Sequence, residues 1–275
     1  MGQERVAWVV GDVHGCLAEL RALEAVVRQR ADKEGHTPVF VLLGDLVDRG
    51  PSSKQVVDHA IEGGRAGTHV SLAGNHEEFF LRALNNNRPD LLKAAGCQVP
   101  FWLETLPAMF VRQPQLASLA NASDWAVFHR LFWITQGGAE TLNSYGSEPT
   151  EPENWDIPLE HVKFLCELPL VWRDDVTVVT HALAAGEDIR AVLGGVPLTR
   201  PQIMRILWSR TVPSSPPDPN RIHVSGHTPL QRLRRSHEGQ VVRVDTGACM
   251  GGRLTGYCPK LDLTLSVGSN FNWRP

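Results

Sequence analysis

The chain has 275 residues, 42% of them hydrophobic and 21% charged, which excludes a disordered or fibrous protein and is long enough to bury one substantial core. A formal net charge of -3 argues against a nucleic-acid-binding surface. The cysteines Cys16, Cys97, Cys166, Cys249 and Cys258 form no Cys-x-x-Cys pair, so they read as reduced thiols rather than a zinc-thiolate or redox motif.

The N-terminal MGQERVAWVVGD lacks the apolar segment of a signal peptide, Val6 breaks a myristoylation pattern, and no stretch is long enough to span a bilayer. The expectation is a cytoplasmic protein with no membrane partner. RVAWVV then reads as a strand, CLAELRALEAVVRQR as a helix, PVFVLL as a strand, SSKQVVDHAIEGG as a short capped helix ending in glycines, and THVSLA as a strand. This β-α-β-α-β series predicts parallel strands. Residues from about 80 to 165 are rich in Trp, Leu and Ala, with NNNRP and SEPTEPEN as loops, and are expected to form a helical insertion within a single domain spanning 1–275. The remainder returns to strands in PLVWRDDVTVVTH, RIHVSGH, QVVRVDTG, RLTGYC and KLDLTLSV, with TVPSSPPDPN as a loop.

Each early strand ends in a polar cluster. GDVHG supplies Asp12 and His14, GDLVDRG supplies Asp45, Asp48 and Arg49, and GNHE supplies Asn75 and His76; later strands end in His181 of VVTHA and His227 of VSGHTP. In parallel sheets the carboxyl ends of neighbouring strands share one rim, which is where ligands bind. Imidazoles, carboxylates and an amide oxygen converging there make a mixed N/O set suited to Mn, Fe or Zn, and two metals sharing a carboxylate would use them all. Any one such cluster is ordinarily a turn; their recurrence at strand ends is what points to metal. His36, His59, His69, His129, His161, His223 and His237 lie outside these clusters and read as surface or core histidines, and the basic RLRR at 232–235 reads as the cap of an exposed hairpin.

Together, GDVHG, GDLVDRG, GNHE, THA, GHTP and the late DTGACMGGRLT resemble, in order and approximate spacing, the phosphoprotein phosphatase family of metallophosphoesterases, most closely the bacterial and bacteriophage lambda-type serine/threonine phosphatases. The resemblance covers essentially the whole chain and implies a calcineurin-like four-layer α/β/β/α sandwich with a dinuclear centre between its sheets. It implies Asp12, His14 and Asp45 on one metal, and Asp45, Asn75, His181 and His227 on the other. His76 is then the general acid, Asp48 its orienting carboxylate, and Arg49 and Arg210 of LWSR the phosphate grips. THAL departs from the His-Ala-Gly of many relatives, putting Leu183 beside His181.

The implied cofactors are two divalent ions, Mn2+ with Fe or Zn as alternatives, and the implied reaction is hydrolysis of a phosphomonoester on a phosphoprotein or small molecule by a water activated between the metals. Symmetrical diadenosine tetraphosphatases of the same family resemble the chain too, but typically carry Ala in place of Asp48 and Asp in place of Glu77. Those two positions favour the serine/threonine protein phosphatase branch. An inactive phosphatase fold serving as a binding scaffold is a third reading, opposed by the presence of every expected ligand.

Overall fold

The computed structural model describes residues 3–104 and 122–274. The strands β1 (Glu4–Val10), β2 (His36–Leu42) and β3 (His69–Ser71) are parallel neighbours, as the alternating pattern predicts, with Val10 opposite Leu42 and Phe40 opposite His69. Helices α1 (Leu17–Glu34) and α2 (Ser53–Arg65) make the crossovers. Gly35, at a left-handed φ of 75°, ends α1 and turns the chain into β2.

From Val6 to Val10 β1 is apolar because both of its faces are covered there. Val6, Trp8 and Val10 pack with Leu20, Leu23 and Val27 of α1 and Val56 and Ala60 of α2. Ala7 and Val9 pack instead with Val179, Val224 and Val242 of a second sheet. That sheet contains β4 (Val171–Arg173), β5 (Thr177–Thr180), β6 (Ile222–Ser225), β7 (Arg234–Ser236) and β8 (Val241–Arg243), in the order β4-β5-β6-β8-β7. β5, β6 and β8 are parallel; β4 and β7 run antiparallel at the edges. β9 (Arg253–Cys258) and β10 (Leu263–Gly268) then return to the first sheet, β9 antiparallel to β1. A third cluster joins Val171 and Val178 of the second sheet to Ile189, Ile203 and Ile206 on helices. The result is two mixed sheets face to face with helices outside, the α/β sandwich expected.

Between β3 and β4 the chain is helical at α3 (Asn75–Asn87), Pro89–Ala94, Ala122–Trp133, Ala139–Ser144 and Leu159–Cys166; part of the segment expected to be helical, residues 105–121, lies outside the described residues. Two details differ from expectation. Ser52 makes no side-chain cap for α2, and Gly63 and Gly64 lie inside that helix rather than at its end. The stretch after β5, read as leading only to strands, contains helices Gly186–Leu193 and Arg200–Trp208, whose apolar residues Ile189, Ile203, Ile206 and Leu207 cover the second sheet. The hairpin at RLRR is as expected: Arg234 and Arg235 are exposed on an edge strand, and Arg235 pairs with Asp262 and lies over the Tyr257 ring at 5.1 Å. Among the described residues, no helix is long and apolar enough to cross a membrane.

Candidate metal centre and phosphate site

The carboxyl ends of β1, β2, β3, β5 and β6 lie together, and the polar residues that follow them are buried there: Asp12, His14, Asp45, Asp48, Asn75, His76, His181 and His227. Five residues of this rim adopt left-handed backbone: His14 (φ 44°), Asp45 (49°), Asp48 (72°), Arg49 (70°) and His227 (67°). Each such non-glycine conformation costs about 1–3 kcal/mol and persists only where the surroundings enforce it. Neighbouring glycines leave room for the carboxylates: a Cβ on Gly226 would lie 2.1 Å from Asp12 Oδ1, and one on Gly74 would lie 2.2 Å from Asp45 Oδ1.

Asp45 sits centrally. Its Oδ2 is 3.4 Å from His14 Nε2, its Oδ1 is 3.4 Å from His181 Nε2, and the same Oδ1 accepts the backbone N–H of His76 at 2.9 Å. Asn75 Oδ1 lies 3.0 Å from His181 Nε2 and 2.8 Å from His227 Nδ1. Asp12 accepts the backbone N–H of His227 at 3.0 Å. Potential ligand atoms therefore fall into two groups that share Asp45: His14, Asp45 and His76, and Asp45, His181 and His227. All the sequence-derived ligands are thus brought to one rim, and His76 joins one group in addition.

The tautomers bear on whether cations fit. His14 Nδ1–H donates to Val47 O at 2.9 Å and His181 Nδ1–H to Leu43 O at 3.0 Å, leaving each Nε2 as a lone pair aimed at oxygens that are themselves acceptors. Anchoring one imidazole nitrogen on a carbonyl is how proteins orient metal-ligating histidines. His227 directs its Nδ1 at Asn75 Oδ1 at 2.8 Å, so that nitrogen faces the second ligand group. Burial drives the carboxyls of Asp12, Asp45 and Asp245 above the usual carboxylate range, with repulsion from neighbouring acids adding to it at Asp12 and Asp245, and drives the rings of His14, His181 and His227 below theirs. Carboxylates crowded together and imidazoles held neutral by burial form a site that positive ions relieve.

Arg49 reaches across this cluster, Nη1 2.7 Å from His14 Nε2 and Nη2 2.9 Å from His76 Nε2. The Trp273 ring backs its guanidinium at 5.6 Å. Arg49, His76, Asn75, His227 and Arg210 line one cavity of about 130 Å3. Both arginines singled out in the sequence therefore face the same space. Leu183 is buried, and its N–H donates to Ser209 O at 3.3 Å, tying the His181 loop to the residue before Arg210.

Asp48 is buried, and its Oδ2 accepts from His76 Nδ1 at 2.7 Å, so the ring presents Nε2 to the cavity. Its other partners went unseen in the sequence: Trp133 Nε1 donates to Oδ1 at 2.9 Å and Thr141 Oγ1 donates to the same oxygen at 2.7 Å. Both come from the helical stretch between β3 and β4, which also supplies Gly137 O to accept the Arg49 N–H at 3.1 Å. Asp245 was also missed, although VVRVD repeats the strand-end pattern of the other acids. Glu77 has a structural role. Its carboxylate accepts the N–H groups of Gly74, Asp45 and Leu46 at 2.7, 2.8 and 2.7 Å, so it shapes the Asp45 loop from beneath and is not among the cavity-lining residues.

Comparison with known proteins places this arrangement. The chain is 27% identical over 259 residues to serine/threonine-protein phosphatase 1 of Salmonella typhimurium (strain LT2), covering 91% of this chain and 90% of that protein. It is equally 27% identical, over 280 residues and 90% of both chains, to the symmetrical bis(5'-nucleosyl)-tetraphosphatase of Bordetella pertussis. To the same-named protein of Pectobacterium carotovorum it is 36% identical over 124 residues, and there the chain spans 42% of the relative's length. A crystal structure of a provisionally assigned diadenosine tetraphosphatase superposes with a TM-score of 0.51 at 20% identity, covering 97% of this chain and 98% of that one, which establishes a shared fold. Residues 6–252 match the family described as Calcineurin-like phosphoesterase, so the chain belongs to that family and is a metallophosphoesterase hydrolase.

Proposed function

We propose that the chain is a phosphomonoesterase of the serine/threonine protein phosphatase type, with His76 as general acid. The observation that carries this reading is the buried Asp48–His76 pair, with Oδ2 2.7 Å from Nδ1 and Asp48 itself fixed by Trp133 and Thr141. An alkoxide is a poor leaving group, and a serine or threonine phosphate needs a proton delivered to its bridging oxygen. A nucleotide phosphate leaves more readily and needs that acid less.

In this reading Asp12, His14, Asp45, Asn75, His181 and His227 would hold two divalent cations, Asp45 being common to both groups of potential ligands. When bound, such ions supply Lewis acidity, offsetting phosphoryl charge and making water a nucleophile near neutral pH. The chain's own groups do the rest. Arg49 and Arg210 bind the phosphoryl oxygens and stabilise the charge that develops on them. Arg49 must turn from His14 and His76 toward the substrate, which frees both imidazole Nε2 atoms. His76 Nε2, which accepts from Arg49 in this structure, must first take up a proton from solvent; the imidazolium, held at Nδ1–H by the Asp48 carboxylate, then gives that Nε2 proton to the leaving oxygen and returns to the neutral ring.

A dinucleoside polyphosphate hydrolase is the second reading, favoured by the Bordetella relative that aligns along 90% of its length. The test is kcat/KM of one Mn2+-loaded preparation on a phosphothreonine peptide and on diadenosine tetraphosphate. The proposal expects the peptide to be preferred; preference for the dinucleotide overturns it.

A further inference from the structure

A second convergence of histidine and carboxylate lies away from the rim, where α1, α2 and the start of β3 meet. Glu24 on α1 and His69 on β3 are buried, and His59 on α2 is 18% exposed at its side chain. Nε2 of His59 and Nε2 of His69 lie 2.7 and 2.9 Å from the same oxygen, Glu24 Oε1, and the three donor atoms all fall within 4.8 Å of one another. The two rings meet edge to face at 5.1 Å. We propose that Glu24, His59 and His69 form a metal site for a divalent transition cation of the zinc type, distinct from the rim and serving to clip α1, α2 and β3 together.

The donor chemistry fits. Two imidazoles and a carboxylate are a recurrent zinc set, and zinc accepts a fourth ligand from solvent. Glu24 is prepared to give one oxygen only, because its Oε2 is held by Arg28 Nη2 at 3.0 Å. Solvent reaches the cluster past the partly exposed His59.

The orientation of His69 carries the argument further. Its Nδ1 lies 2.9 Å from Thr68 Oγ1, and that hydroxyl has Gly63 O as an acceptor at 3.2 Å. With the Thr68 proton on Gly63 O, His69 Nδ1–H donates to Thr68, and Nε2 is left as a lone pair facing Glu24. This is the construction found at His14 and His181, where an anchored Nδ1–H turns a bare Nε2 onto an oxygen. The helix makes room for it: a Cβ at position 63 would lie 2.0 Å from His69 Nδ1, so only glycine lets α2 pass there. The competing arrangement has both Nε2 atoms protonated and donating to Glu24, a hydrogen-bonded trio that needs no ion.

Zinc anomalous diffraction from crystals of the full chain equilibrated with Zn2+, combined with metal analysis after dialysis, separates the two. The expected result is an anomalous peak about 2.0–2.2 Å from Glu24 Oε1 and both Nε2 atoms. His59→Gln should retain one zinc equivalent fewer than wild type with its phosphatase activity intact, and Thr68→Val should bind at this site about 10–100-fold more weakly. Peaks at the rim alone, or equal zinc in wild type and His59→Gln, would overturn the proposal. If His59→Gln fails to fold, the wild-type peak and Thr68→Val decide it.

Discussion

Among the described residues, histidines and carboxylates gather closely enough to hold a metal in two places, and they are built differently. At the rim, His14, Asp45 and His227 stand in left-handed loops at strand ends, and the acids there are pushed up by burial, with repulsion from neighbouring acids adding to it at Asp12. On the flank, Glu24, His59 and His69 stand in regular helix and strand, none of them among the residues at positive φ. Left-handed non-glycine backbone therefore marks the rim cluster and is absent from the flank cluster.

That contrast is open to attack by mutation. The largest effect is expected from Asp45→Asn, which weakens both ligand groups at once. It should lower kcat/KM by about 10^4-fold or more and deplete rim metal, while His59→Gln leaves kcat/KM unchanged. Rates measured with metal content on both variants check this, and comparable losses would erase the distinction. Chelation should abolish activity in wild type, with Mn2+ restoring it.

A smaller effect tests the support beneath the acid. Thr141→Val removes one donor from the buried Asp48, worth about 1.5 kcal/mol, so kcat on an alkyl phosphate should fall about tenfold with KM little changed. An equal rise in KM would assign Thr141 to substrate binding.

The smallest effect concerns a histidine in neither cluster. His223 on β6 is buried with Thr180 Oγ1 2.7 Å from its Nε2, and burial pushes its pKa from ~6.5 down to about 4. The unfolded chain takes up this proton first as pH falls, so the stability His223 contributes is present above about 6.5 and is lost progressively towards pH 4. Urea midpoints measured across that window should show a shallower pH slope in His223→Asn than in wild type; identical slopes would contradict it.

The rim was legible because its residues sit in short contiguous motifs directly after apolar runs, so strand ends and chemistry are read together. Asp12, His14, Asp45, Asn75, His76, His181 and His227 all lie where that pattern puts them, and the parallel β1–β2–β3 order follows from the same alternation. What was not legible depends on distant pairing. Trp133 and Thr141 meet Asp48 across 85 and 93 positions, and Glu24 meets His69 across 45, so each taken alone reads as an ordinary core or surface residue. The helices Gly186–Leu193 and Arg200–Trp208 are short, and the glycines and prolines around them masked their period. Glu77, singled out in the sequence as a position that distinguishes related enzymes, also holds the amides of the Asp45 loop, a role its position alone does not reveal.

The central claim, that Asp48-held His76 delivers the proton to the leaving oxygen, is tested most directly by the leaving-group dependence of His76→Asn. Rates with metal content verified should fall about 10^2–10^4-fold on an alkyl phosphate and far less on p-nitrophenyl phosphate, whose leaving group departs without a proton. Equal losses on the two substrates, or loss of metal in the variant, would contradict the account and make His76 a ligand or a binding group instead.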